Sequence, residues 1–163
     1  MGVAAAAGGS WHALFSDRTG PAADLLWKAT LAAAGLADFY LIVGAAFASV
    51  RRSAAKWIAA AAAAKLVLFL AWSLPSDSFT PAVVDTAVTL LVILALQAFA
   101  LASWRAASSA WILAGVGVSA AAAAVEALRP ALPAPFGPDA VYHLIQLAGV
   151  FLFYRGALSF VDR

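Results

Sequence analysis

Two histidines and three carboxylates hold the chemical potential of this sequence: His12, His143, Asp85, Glu126 and Asp139. Neutral imidazole nitrogen and carboxylate oxygen are good zinc ligands, and a zinc with an open coordination position activates water. Asp139 and His143 stand four residues apart and therefore share a helix face, with Gln146 one turn beyond His143 on the same side. At that spacing the aspartate could instead orient the imidazole as a general base. A bland reading stands beside both. Acids and histidines at helix ends are usually wet interfacial residues, and Asp139 follows Pro138 in the position of an N-cap. No compact motif of HExxH strength is present.

A second pair lies deeper. Asp38 and Lys65 sit in the middle of two strongly apolar stretches, about equally far from the basic turn Arg51-Arg52 that joins them. Charge at the centre of a membrane helix costs about 2.5–3.5 kcal/mol on insertion scales and faces a partner or a cavity. In an antiparallel hairpin the two residues reach the same depth, about 18 Å from the turn at 1.5 Å per residue. The spacing predicts an Asp38–Lys65 ion pair that fixes the register of the hairpin. Proton transfer or ion conduction through the pair is the sharper alternative.

The elements that must position these residues are dictated by composition. Of the 163 residues 65% are hydrophobic and 11% charged, and the mean hydropathy is +0.94. A water-soluble domain is about half apolar and a quarter charged, so this chain lacks the polar surface to stay in water. The net charge of +2 is small and the basic residues are scattered, which argues against nucleic acid as a partner and leaves membrane lipids as the surroundings. With no cysteine there are no disulfides, thiolate metal sites or cysteine nucleophiles. No hydrophilic linker divides the chain, so residues 1–163 are expected to form a single membrane domain.

Five apolar segments approach the roughly 20 residues needed to cross a bilayer. They lie at 25–50, 54–74, 81–104, 109–128 and 140–158, separated by Arg51-Arg52-Ser53, Pro75-Ser76-Asp77-Ser78, Arg105 to Ser108, and a break from Arg129 to Pro138 that contains four prolines. These runs exceed strand length and do not alternate, so the fold class is an all-α integral membrane protein, a bundle of five transmembrane helices. A short apolar N-terminal segment, 2–15, precedes them; it reads like the second half of a membrane helix, or like a re-entrant or interfacial piece. The breaks after the first and third helices and the C-terminal tail contain Arg51, Arg52, Lys56, Arg105, Arg155 and Arg163, against Arg18, Lys28 and Arg129 on the other side. That asymmetry places the C-terminus in the cytoplasm. With this topology His12, Asp85, Glu126, Asp139 and His143 all fall in the non-cytoplasmic leaflet.

The remaining polar residues have structural readings. Gln97, Ser119 and Thr89 are expected to hydrogen-bond between helices, and the alanine runs 59–64 and 120–124 to permit close backbone approach. The six tryptophans fall near predicted helix ends, as an aromatic belt does.

The stretch Trp111-Ile112-Leu113-Ala114-Gly115-Val116, with Ser119 following, resembles the penultimate helix of a group of bacterial polytopic membrane proteins. The last helix, Tyr142-His143-Leu144-Ile145-Gln146 through Phe153-Tyr154-Arg155-Gly156-Ala157, looks still more like that group's ending. Asp85 and the Gly8-Gly9-Ser10-Trp11-His12 run match its earlier helices, so the resemblance covers most of the chain. The group's layout is similar to the CREST superfamily of alkaline ceramidases and adiponectin-receptor-like proteins, seven-helix proteins with a histidine-held zinc. The resemblance implies a bacterial inner-membrane location, zinc as cofactor, His12, Asp139 and His143 as metal ligands, and Asp85 as the catalytic residue near the metal-bound water. The departures are specific: Asp139 and His143 stand where the superfamily has two histidines four apart, and Ser10 is too close to His12 for its serine–histidine spacing.

Two functions of different class are therefore expected. The first is a small accessory or scaffold subunit that packs against other membrane protein subunits, consistent with short loops, alanine-rich faces and an incomplete metal set. The second is a zinc-dependent lipid amide or ester hydrolase at the non-cytoplasmic leaflet. A transporter or proton path through Asp38 and Lys65 is a third.

Overall fold

The computed structural model describes residues 20–76, 78–104, 106–131 and 137–159, with the backbone alone for Trp104, Glu126 and Asp139. Among the described residues there are five helices and no strand: α1 (Pro21–Ser49), α2 (Arg52–Ser73), α3 (Thr80–Trp104), α4 (Ala107–Leu128) and α5 (Pro138–Ala157). The first four are long and apolar enough to cross a membrane. The fifth holds Asp139, His143, Gln146 and Arg155 within its 20 residues, which lowers its apolar character. The expected segment 2–15 lies outside the described residues, as does His12.

The helix ends follow from local chemistry. Gly20 adopts φ 94°, a left-handed conformation that costs glycine little, and Pro21 opens α1 with its fixed φ. The helix begins four residues before the expected Leu25 because its early charges are compatible with a helix start. Asp24 lies in the first turn, where the helix dipole favours an anion, and accepts a 2.8 Å salt bridge from Lys28 four residues on. The α1–α2 turn is as tight as the sequence predicts, with Arg51 in an extended conformation between the two helices. Arg129 ends α4 at φ 40° and ψ 56°, its amide bonded back to the Val125 carbonyl, and Pro130 follows, which cannot continue the helix. In α5 the cap position belongs to Gly137, with Pro138 in the first turn. Asp139 is thus inside the first turn and is not the cap, because proline is favoured at the first helical position and moves the start two residues upstream.

The chain divides into two compact units, residues 1–47 with 51–92 and residues 48–50 with 93–163. In the first, Leu31 of α1, Phe69 of α2 and Ala82 of α3 form a buried cluster, flanked by Trp27, Leu66 and Leu70. Helices α1 and α2 approach closely at Gly35, where an added Cβ would lie 2.5 Å from the Phe69 ring and 3.1 Å from Leu66 Cδ1. The buried residues of α2 are Ala55, Ala62, Phe69 and Ser73. The first three recur every seven residues, so α2 packs along one narrow seam.

In the second unit α4 and α5 meet through small residues. A Cβ on Gly115 would lie 2.8 Å from the Phe153 ring, one on Gly149 would lie 2.8 Å from Ser119 Oγ, and Gly156 is closed off by Ile112. This is the small-residue packing that lets backbones of apolar helices approach and gain dispersion contact. Arg155 adds a cation–π contact, its Cζ 5.3 Å from the Trp111 ring centroid. Of the expected interhelical hydrogen-bonders, Gln97 acts as one: its Nε2 donates to Ser49 Oγ at 3.1 Å and its Oε1 accepts from Ser109 Oγ at 2.8 Å. Thr89 instead donates to the Asp85 carbonyl of its own helix, the usual alternative for a threonine hydroxyl. Ser119 Oγ is buried against Gly149 with no partner among the described residues.

All three members of the Gln97 triad are fully buried. Gln97→Leu therefore strands two hydroxyls, each worth about 1–3 kcal/mol if left unpaired. A stability loss of that size in unfolding of the detergent-solubilised protein is expected, and an unchanged midpoint would show that the triad contributes nothing.

Candidate functional site

Polar side chains from three helices of the first unit converge between apolar walls. Lys65 of α2 places Nζ 2.6 Å from Asp85 Oδ1 of α3. The next residue, Thr86, donates its hydroxyl to Asp38 Oδ2 of α1 at 2.8 Å. Asp38 is also within interaction range of both the Lys65 ammonium and the Asp85 carboxyl. The two aspartates are almost completely buried, 5% and 7% exposed, while the lysine side chain keeps 20%.

The expected direct pair of Asp38 and Lys65 is thus replaced by Lys65–Asp85, with Asp38 held by Thr86. Matching depth in a hairpin fixes only the coordinate along the helix axis. The coordinate around the axis is set by packing, at about 100° per residue. Leu66 and Phe69 occupy the side of α2 that meets Gly35 of α1. Lys65 lies on the neighbouring flank, which with Leu68 and Trp72 faces Pro81, Val84, Asp85 and Val88 of α3 across a groove of about 220 Å³. The ammonium is presented to α3, where Asp85 waits in the second turn.

Asp85, the residue expected beside a metal-bound water, has its Oδ1 paired with Lys65. Its Oδ2 is buried with no hydrogen-bond donor among the described residues. His143 is exposed on α5, its ring packed edge-on against Tyr142 with centroids 4.9 Å apart. Asp139 lies one turn earlier on the same helix. Among the described residues no three His, Cys, Asp or Glu side chains come together as metal ligands. Of the expected zinc set, His12 and the Asp139 side chain lie outside the described residues, and Asp85 and His143 belong to different units.

Thr86 is the member that sequence reasoning passed over. Its signal was adjacency: a hydroxyl directly beside Asp85, one to two turns into α3.

As chemistry, the cluster offers two carboxyl groups, one ammonium and one hydroxyl in surroundings that disfavour net charge. It can neutralise internally, hold or exchange a proton, and bind the donor groups of a small polar partner at the groove.

A family described as a family of unknown function (DUF6962) matches residues 1–161 of this chain. No curated protein and no solved structure matches it.

Proposed function

We propose, for a chain that belongs to the DUF6962 family, an accessory or scaffold role: a small polytopic protein of a bacterial inner membrane, C-terminus cytoplasmic, that packs beside other membrane protein subunits. The observation that carries this reading is the uncovered side of α2. Its buried residues form a single seam, and opposite that seam lie Ala60, Ala64 and Ala71, all exposed, together with Trp57. Surfaces that face only lipid gain no close backbone approach from small side chains. Interfaces between apolar helices favour them, since they let a partner backbone approach closely. The charged residues within the helices support the same reading, because Lys65 and both aspartates are engaged inside the unit.

A bulky residue on this face discriminates. Ala64→Leu changes an exposed position, so the stability of the purified chain is expected to stay within about 0.5 kcal/mol of the parent. Proteins that co-purify with the parent from its native membrane are expected to be lost with the variant. The scaffold reading fails if the native chain purifies alone as a monomer, or if Ala64→Leu retains every companion. Stoichiometric zinc in the pure chain, lost together with lipid turnover in His143→Ala, would replace it with the hydrolase.

A further inference from the structure

The first unit contains an imbalance that its packing does not resolve. Asp38 from α1 and Asp85 from α3 face one cation, Lys65 from α2. The uncharged Thr86 hydroxyl completes the cluster. With all three groups ionised the cluster would hold a net charge of minus one in apolar surroundings, an expensive state for which proteins substitute neutralisation. The second observation is independent of that count. Asp85 Oδ2 is inaccessible to solvent and has no donor among the described residues, although Asp85 as a whole is 7% exposed. Carboxylate oxygens in such positions need a hydrogen to accept, and a bare Asp38 carboxylate nearby supplies none.

We infer that Asp38 and Asp85 share one proton, making a carboxyl–carboxylate pair beside the Lys65 ammonium, and that this cluster is a reversible proton-binding site. One proton supplies the missing donor, brings the cluster to zero net charge and removes the repulsion between two adjacent carboxylates. It belongs to the pair and to neither residue alone, as in other coupled carboxyl dyads. Loss of the proton leaves the same atoms with a net charge of minus one. Its route is the groove that Lys65 and Asp85 line with Leu68, Trp72, Val84 and Val88. The site goes beyond the scaffold role and does not depend on it.

Infrared spectroscopy of the full chain in lipid nanodiscs tests this, because a protonated carboxyl group has a carbonyl stretch well separated from that of a carboxylate. At neutral pH the parent is expected to show one such buried band, shifted on deuteration. Asp38→Asn and Asp85→Asn are each expected to abolish it, since either leaves a single carboxylate to balance Lys65. Asparagine mimics the protonated acid in shape, which favours folding of both variants. In Lys65→Gln the band is expected to grow about twofold, both carboxyls then taking a proton. Absence of the band from the parent overturns the proposal without any variant. So does its persistence in Asp85→Asn or in Asp38→Asn, which would mark an isolated protonated aspartate instead of a shared proton.

Discussion

Replacing Lys65 with methionine is expected to destabilise the chain by about 3–5 kcal/mol, while Lys65→Met combined with Asp85→Leu recovers most of that loss. The side chain volumes change little at position 65, so the single variant removes a charge and not a core. What remains is Asp85, 7% exposed and without the ammonium that stood 2.6 Å from its Oδ1. Without the ammonium, Asp85 must either stay charged in an apolar wall or take up a proton with no partner for it, and both states are costly. The double variant removes the orphan together with its partner and lets Leu68, Phe69, Val84 and Val88 close over the gap. Reversible unfolding in micelles or bicelles, arranged as a double-mutant cycle, measures the coupling. A matching cycle between Lys65 and Asp38 is expected to show a smaller coupling, because Asp38 keeps its bond from Thr86 when Lys65 is gone. Equal coupling in the two cycles would mean that the ammonium does not distinguish its two carboxylates, and additive losses would mean that there is no ionic lock.

That contrast also shows how far the sequence could be read. Five helices and their breaks were legible because long apolar runs, prolines and basic turns act locally. The errors at the ends were local too: the i,i+4 pair of Asp24 and Lys28 and the first-turn prolines at positions 21 and 138 move helix starts upstream of where hydropathy alone puts them. Depth was legible in part: it drew attention to Asp38 and Lys65, but it assigned Asp85, which pairs with the ammonium, to a level nearer the outer face. Their partners were not legible. Which side of α2 meets α1 is decided by an atom that glycine lacks, at Gly35, and a hydropathy pattern carries no record of that. The same limit hid the hydrogen bond of Thr86 to Asp38 and the destination of Gln97, whose polarity announced a bond but not Ser49 or Ser109. The grouping of His12, Asp85, Asp139 and His143 rests on their shared leaflet, which is again one coordinate out of three, and on a resemblance.

Gly35 therefore has a larger expected effect than any charged residue outside the cluster. In an isolated helix, replacing an interior glycine with a better helix former gains about 0.5–1 kcal/mol. Here the sign should reverse. A Cβ at position 35 would stand 2.5 Å from two carbons of the Phe69 ring, closer than real contacts allow, and Phe69 is 4% exposed with nowhere to turn. Gly35→Leu is expected to lose about 1–3 kcal/mol by overpacking. Phe69→Ala, which leaves a cavity beside Leu31 and Ala82, is expected to lose about 3–5 kcal/mol. If these two residues are the knob and the hole of one contact, the double variant exchanges them, and its loss should be well below that of Phe69→Ala alone. The exchange has a chemical consequence, because the side of α2 that Phe69 gives to α1 determines the flank on which Lys65 meets Asp85. Gly35→Leu alone, by rotating or displacing α2, is expected to weaken the Lys65–Asp85 coupling measured in the first cycle, and the double variant to return it. Should Gly35→Leu leave that coupling intact while still lowering stability, the contact would be a packing constraint only, and the placement of the charged cluster would have to be assigned to α3.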